Sequence, residues 1–297
     1  MIELRVAIMQ ADLEEWAELK SRVSPDDPVT VEQLAATDEP GRLLLLAELG
    51  GVPAGCGIAS LSGLSGRAFV AARVLPEQRR RGVGTELVRA LCLHVRALGR
   101  EAVNAHVDAG DCDSLRFARS LSLVEVDYEL RQVRTVGEEP PPVVPQGLRL
   151  LELAGRREEL LRAAWPVAQE GYADLPVPGT LAHPLATWLR DEATRPEGSF
   201  VALEGAEVVG YAGLLAHGSG AATAEHGLTV VRRDRRKRGI ARTLKLAQLH
   251  WAGSTGVDEL VTWTQKGNEA MQALNAGLGY TNRSRVLTMQ GPVPELR

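Results

Sequence analysis

Gly239 minus Gly82 gives an offset of 157, and the same shift carries Asp111 onto Asn268 and Ser122 onto Gly279 without a gap. A period this long exceeds the roughly 20–50 residues of a solenoid unit and marks a duplicated domain. The length of 297 residues agrees, because a chain of that size is expected to form two domains of about 100–150 residues each. Between the copies runs Val136-Gly-Glu-Glu-Pro-Pro-Pro-Val-Val-Pro-Gln146, whose four prolines forbid helix and weaken strand pairing. The expected division is therefore a first domain at 1–136, a proline-rich linker at 137–147 and a second domain at 148–297.

Alternation and β-branching predict strands near 2–8, 42–49, 53–61, 68–75, 103–108 and 124–134, with helices near 11–22, 30–37, 83–98 and 112–120. The same order returns as strands near 147–152, 199–204, 207–216, 226–232, 258–264 and 280–289, and helices near 155–168, 182–194, 240–255 and 268–276.

Each copy has a strand running into a basic, glycine-bearing turn and then a helix. In the first, Phe69-Val-Ala-Ala-Arg-Val-Leu75 leads through Pro76-Glu-Gln-Arg-Arg-Arg-Gly-Val-Gly-Thr85. In the second, Leu228-Thr-Val-Val231 leads through Arg232-Arg-Asp-Arg-Arg-Lys-Arg-Gly-Ile-Ala-Arg242. A helix N-terminus carries unpaired N–H groups and a partial positive charge, glycine lets a diphosphate approach, and arginine adds charge-assisted bonds. Neither turn fits GxxxxGK[ST] or GxGxxG, so a P-loop and a dinucleotide fold are not indicated.

The turns resemble the coenzyme A loop of the GNAT acyltransferase superfamily, with Arg79-Arg-Arg-Gly82-Val-Gly84 in one copy and Arg236-Lys-Arg-Gly239-Ile-Ala241 in the other. The resemblance implies an α/β (α+β mixed-sheet) fold of two tandem GNAT-like domains. Each would be a mostly antiparallel sheet of six to seven strands flanked by helices. It also implies acetyl-CoA as co-substrate, without a metal. Val74, Leu75, Arg79, Arg81, Gly82, Val83, Gly84 and Thr85 would hold it in the first copy. In the second copy the corresponding set is Val230, Val231, Arg236, Arg238, Gly239, Ile240, Ala241 and Asn268.

Asn268-Glu-Ala-Met271-Gln-Ala-Leu-Asn275-Ala-Gly-Leu-Gly279-Tyr280 follows the family's Asn-x-x-Ala-x-x-x-Tyr-x-x-x-Gly-Phe helix, with Asn275 in the place of the tyrosine that often protonates the departing thiolate. The first copy has drifted further, with Ala118 in that place. A general base in this superfamily often lies on the strand before the glycine loop, where the second copy offers Glu225 and His226. The shift of 157 sets Ala68 and Phe69 there in the first copy, and neither accepts a proton. Catalysis is accordingly expected in the second copy. His106 and Asp108 are the weaker alternative in the first. Tyr172 and Asp174, in Glu170-Gly-Tyr-Ala-Asp-Leu-Pro-Val-Pro178 where the family builds its acceptor pocket, are the candidate substrate-binding residues. Trp165, Trp188, Trp251 and Trp263 are expected in the core or at its rim.

A net charge of −4 excludes a molecule-wide basic field, so nucleic acid is not an expected partner. No apolar run reaches the roughly 18 residues of a membrane span, and the N-terminus does not read as a secretory signal, so the expected address is the cytoplasm. Cys56, Cys92 and Cys112 form no CxxC pair and are expected to be buried thiols. The predicted activity is acetyl transfer to a small-molecule amine, by a monomer with an internal pseudo-dimer or by a homodimer. Catalysis in the first copy and a non-catalytic acyl-CoA sensor are the competing readings.

Overall fold

The computed structural model describes residues 1–25, 27–36, 41–61, 67–175, 184–217 and 222–296. They form two compact units, Met1–Tyr128 with Val286–Arg297 and Glu129–Arg285. Both are α/β with a mixed sheet. The linear division at 137–147 would leave 124–135 with the first copy and 281–292 with the second, whereas strand pairing draws residues from each across that line.

Unit 1 contains β1 (Ile2–Val6), α1 (Gln10–Val23), α2 (Val31–Ala36), β2 (Leu43–Leu49), β3 (Pro53–Leu61), β4 (Arg67–Val74), α3 (Val83–Ala97), β5 (Ala102–Asp108), α4 (Cys112–Ser120) and the start of β6 (Val124–Thr135). Its sheet order is β1-β2-β3-β4-β5-β12, closed by the last part of β12 (Thr281–Pro292), whose Val286–Pro292 pair antiparallel with Asp108–Ala102. Amphipathic α3 sends Val83, Leu87, Leu91 and Val95 into one core with Val70, Val103, Leu287 and Met289. On the opposite face Trp16, Leu19, Leu44, Leu46 and Cys56 form a second core.

Unit 2 repeats the plan with β7 (Leu148–Glu152), α5 (Arg157–Ala173), α6 (Leu185–Asp191), β8 (Phe200–Glu204), β9 (Glu207–Ala216), β10 (Thr223–Val231), α7 (Ile240–Thr255), β11 (Glu259–Gln265) and α8 (Glu269–Ala276). Its order is β6-β11-β10-β9-β8-β7, with Glu129–Thr135 of β6 antiparallel to Gln265–Glu259. Leu161, Ala164, Trp188, Val201 and Tyr211 pack on the α5–α6 face. Leu244, Leu249, Ala252 and Leu260 pack on the α7 face.

The duplication extends to single hydrogen bonds. Asp111 caps α4 by accepting from the Ser114 N–H at 3.0 Å, and Asn268 caps α8 by accepting from the Met271 N–H at 3.3 Å. One expectation needs correcting: Cys56 and Cys92 are buried, but Cys112 opens α4 and is exposed. Burial, offset only in part by Arg73 and Lys20 near Cys56 and by Arg96 near Cys92, pushes the thiols up, Cys56 to about 12 and Cys92 to about 11, so neither is a thiolate at neutral pH.

Candidate active site

In both units the parallel ladder stops partway along the two central strands. β4 and β5 pair from Arg67↔Ala102 to Phe69↔Asn104, and β10 and β11 from Thr223↔Glu259 to Glu225↔Val261. Beyond those residues the strands part, and backbone groups that a ladder would occupy are left facing the opening.

The basic turns have matching geometry. Arg80 and Lys237 have φ of 62° and 63°, and Gly82 and Gly239, each at the N-cap, have φ of 88° and 79°. Glycine suits the left-handed region because it has no Cβ. The Arg79 Nε–H donates to the Val74 carbonyl at 3.2 Å, and the Arg236 Nε–H to Val231 at 3.0 Å. Neither α3 nor α7 has a side-chain cap, so their first N–H groups remain available to an anion. These features fit a diphosphate.

Charge separates the copies. In unit 2 Asp174 takes Arg233 at 2.6 Å and Arg236 at 2.5 Å, while Glu204 takes Arg235 at 2.6 Å and Arg238 at 3.0 Å. Bonding to Arg233 and Arg236 holds the Asp174 carboxyl below the usual range. Asp174 therefore sits on the basic loop and not in an acceptor pocket. In unit 1 the Arg81 guanidinium instead meets Gln78 at 2.7 Å, and no ion pair of Arg79, Arg80 or Arg81 occurs among the described residues.

The second difference is a β-bulge. β3 and β4 pair without interruption from Gly55↔Val74 to Leu61↔Ala68, whereas β9 and β10 slip between His226↔Leu214 and Thr229↔Ala212. Gly227 and Leu228 thus oppose the single residue Gly213. The extra residue changes the correspondence between copies. Pairing with β5 and β11 sets Phe69, not Ala68, at the place of Glu225, and Val70 at that of His226. Neither accepts a proton, so the asymmetry read from the sequence keeps its sense with different residues.

Glu225 and His226 point to opposite faces of β10. The Glu225 carboxylate meets His217 Nδ1 at 3.0 Å. His226 is buried on the α7 side, with Nε2 bonded to the Tyr280 hydroxyl. Desolvation, aided by nearby Lys245, pushes the imidazole well below its ordinary value, so it is neutral. Asn275 is fully buried, and its Nδ2 donates to Gln132 Oε1 at 2.9 Å and to Thr264 Oγ1 at 3.3 Å. Its amide nitrogen thereby ties α8 to β6 and β11, while Oδ1 is buried without a hydrogen-bond partner among the described residues.

On the α5–α6 face Trp188 is the centre of an aromatic group, 5.0 Å from Tyr211, 5.6 Å from Trp165 and 6.1 Å edge-on from Tyr172. Tyr172 thus packs on the α5–α6 face beside Trp188, and burial raises its hydroxyl's pKa. Trp165 and Trp188 occupy the expected core position. Pro176, Val177 and Pro178 of the candidate acceptor segment lie outside the described residues. Sequence reasoning missed Glu192, which follows α6. Its Oε2 accepts from the Tyr211 hydroxyl at 2.9 Å and its Oε1 from the Leu228 N–H at 3.3 Å, at the bulge itself. In unit 1, the His106 ring lies 5.1 Å from that of Phe69 at a tilt of 58°, and Asp108 accepts from the Gly110 N–H at 2.7 Å.

A sheet opened beside an uncapped helix N-terminus defines a class of protein that can take a diphosphate-bearing ligand along a parted pair of strands. The model of the acetyltransferase (GNAT) family matches residues 6–122 and 158–280, more than half of the chain, and the chain belongs to that family. Among curated relatives, a mycothiol acetyltransferase of Rhodococcus erythropolis is 27% identical over 220 residues, covering 69% of this chain and 70% of its own. One of Catenulispora acidiphila is 28% identical over 222 residues, covering 71% and 68%. Among solved structures, a GCN5-related N-acetyltransferase from Sphaerobacter thermophilus superposes with a TM-score of 0.77 at 20% identity, covering 99% of this chain and 96% of that one. A tandem GNAT protein from the clavulanic acid biosynthesis pathway gives 0.77 at 21%, covering 99% of both chains. The protein is an N-acyltransferase that works with acetyl-CoA. No helix among the described residues is long and apolar enough to cross a membrane.

Proposed function

We propose that this chain transfers an acetyl group directly to the amine of a small molecule, and that unit 2 carries the catalysis. The observation that supports it is the bulge: only β10 has Gly227 and Leu228 opposite one residue, which turns backbone N–H groups out of the ladder beside an acidic face. The relatives' name, mycothiol acetyltransferase, supports a small-molecule acceptor.

In this reading Arg236, Arg238 and the N–H groups of Gly239, Ile240 and Ala241 hold the diphosphate. The backbone of Val230 and Val231 takes the pantetheine amides, beside Asn268. Acetyl-CoA supplies the activated acyl group, and holding both substrates together supplies much of the rate gain. The amine arrives over the α5–α6 face by Tyr172. Its proton is taken up on that face, where Glu225 and Glu192 stand. On the other face the Tyr280 hydroxyl is bonded to neutral His226, and the thiolate, which Asn275 cannot protonate, takes up the proton that the nitrogen gives up. In unit 1 the same reading has Arg79, Arg81 and the N–H groups of Gly82, Val83, Gly84 and Thr85 bind a second acetyl-CoA, along Val74 and Leu75, without turnover.

The test is native mass spectrometry of acetyl-CoA stoichiometry for the wild type, Gly82→Glu and Gly239→Glu. Thiol release is recorded on a panel of cysteamine, glucosamine, spermidine and mycothiol stripped of its acetyl group. Gly239→Glu should lose one bound acetyl-CoA and all turnover while Gly82→Glu keeps turnover; the reverse pattern assigns catalysis to unit 1, and binding without turnover on any amine makes the chain a sensor.

A further inference from the structure

We propose that Glu192 is the group that contacts the acceptor's ammonium and takes its proton, so that the amine site of unit 2 lies between the Glu192 carboxylate, the bulge at Gly227–Leu228 and the Trp188–Tyr172 aromatic wall. The inference rests on the reading that unit 2 is catalytic.

Space has been left for this carboxylate on both strands. A Cβ on Gly213 would come within 2.6 Å of Glu192 Oε2, and one on Gly227 within 2.7 Å. These are the residues that face each other across the bulge, so one feature opens the backbone and admits the acid. The Leu228 N–H that reaches Oε1 is at the bulge, which places the carboxylate over the β9–β10 seam, on the strand that also borders the opening.

The charged and titratable groups around it leave a place for a cation. From β9, Tyr211 donates its hydroxyl; from α5, Arg157 gives its guanidinium to the main-chain carbonyls of Arg190, Glu192 and Ala193, and Tyr172 brings a phenol that burial keeps neutral. Glu225 on β10 is already paired with His217. Glu192 itself makes no ion pair among the described residues, and burial raises its pKa despite the bonds from Tyr211 and Leu228. A desolvated carboxylate is a better proton acceptor near neutral pH than one in water, and an incoming ammonium supplies the direct ion-pair partner that Arg157, acting on Glu192 through its charge alone, does not.

The proton balance is simple. One ammonium proton passes to Glu192, and the freed lone pair forms the C–N bond as the C–S bond breaks. The nitrogen's second proton goes to the sulfur side, and the proton on Glu192 leaves to solvent before the next turnover. One proton is released per acetyl transferred.

The experiment compares full-length wild type, Glu192→Gln and Glu192→Asp on the fastest amine of the panel, with acetyl-CoA binding measured alongside. In Glu192→Gln the amide oxygen can still accept from the Leu228 N–H while its Nε2–H donates to the Tyr211 hydroxyl, which can turn to accept, so the fold is kept, and circular dichroism checks it. A directly acting base is worth about 10²–10⁴-fold. Glu192→Gln should lower kcat/KM for the amine at least about 100-fold and remove the acidic limb of its pH profile, with acetyl-CoA affinity unchanged and partial recovery in Glu192→Asp. A folded Glu192→Gln within about threefold of wild type with the acidic limb intact overturns the assignment while leaving unit 2 catalytic. A wild type that binds acetyl-CoA but turns over none of the amines overturns the assignment together with the proposed function.

Discussion

Lys245 shows what a single side chain costs this fold. It lies on α7 almost wholly buried, its Nζ 5.1 Å from the Tyr280 ring centroid and without a hydrogen-bond partner. Desolvation pushes the ammonium down to about 7 from 10.5. The folded state therefore holds this proton less tightly than the unfolded chain, so stability rises with pH between about 7 and 10.5, and the charging cost is complete below about 7. Lys245→Met should raise the stability by on the order of 2 kcal/mol at pH 6.5 and by little near pH 10. Thermal unfolding of both proteins at the two pH values checks it; an equal gain at both would mean that a bound anion or water already compensates the charge. The sequence disclosed the loop residues because Gly82 and Gly239 meet a backbone requirement that glycine satisfies best. It could not disclose Glu192, whose role depends on α6, β9 and β10 converging on one point, with no local pattern marking the residue.

Between elements, the duplication was legible and the bulge that breaks it within the fourth strand was not. A common offset exposed the two strand–turn–helix units. The bulge adds one residue within β10, and it becomes visible only when the pairing of β4 with β5 is set beside that of β10 with β11. Charge around the turns was equally hidden, because Asp174 and Glu204 come from the end of α5 and from β8. Their consequence can be tested. Asp174 competes with a diphosphate for Arg233 and Arg236, and such exposed pairs are worth about 0–1 kcal/mol. Asp174→Asn should therefore tighten acetyl-CoA binding at unit 2 by up to about fivefold at low salt, with the gain shrinking as salt screens the loop. Calorimetric titration in the Gly82→Glu background isolates that site; unchanged affinity would show that the arginines pair with Asp174 and with phosphate at once.

At the scale of the whole chain, what the sequence could not show is which sheet each terminal strand joins. β6 and β12 alternate in the same way wherever they pair, and a strand's pattern specifies its face and not its neighbour. The consequence is that residues 286–297, last in sequence, are core to the unit that begins at Met1. Leu287, Met289 and Val293 are buried there, and Val286–Pro292 cover the edge of β5. Burying an aliphatic side chain is worth about 1.5–3 kcal/mol, so losing three approaches the roughly 5–15 kcal/mol by which a domain is stable. A chain ending at Arg285 should thus lose unit 1 while keeping unit 2, and the uncovered β5 edge should promote association. Hydrogen exchange resolves the two outcomes directly. Amides of Val103–Val107 should exchange at the rate of an unfolded segment in the truncated chain, while those of β9 and α7 stay protected; protection retained in β5 would mean that unit 1 holds its sheet without the exchanged strand.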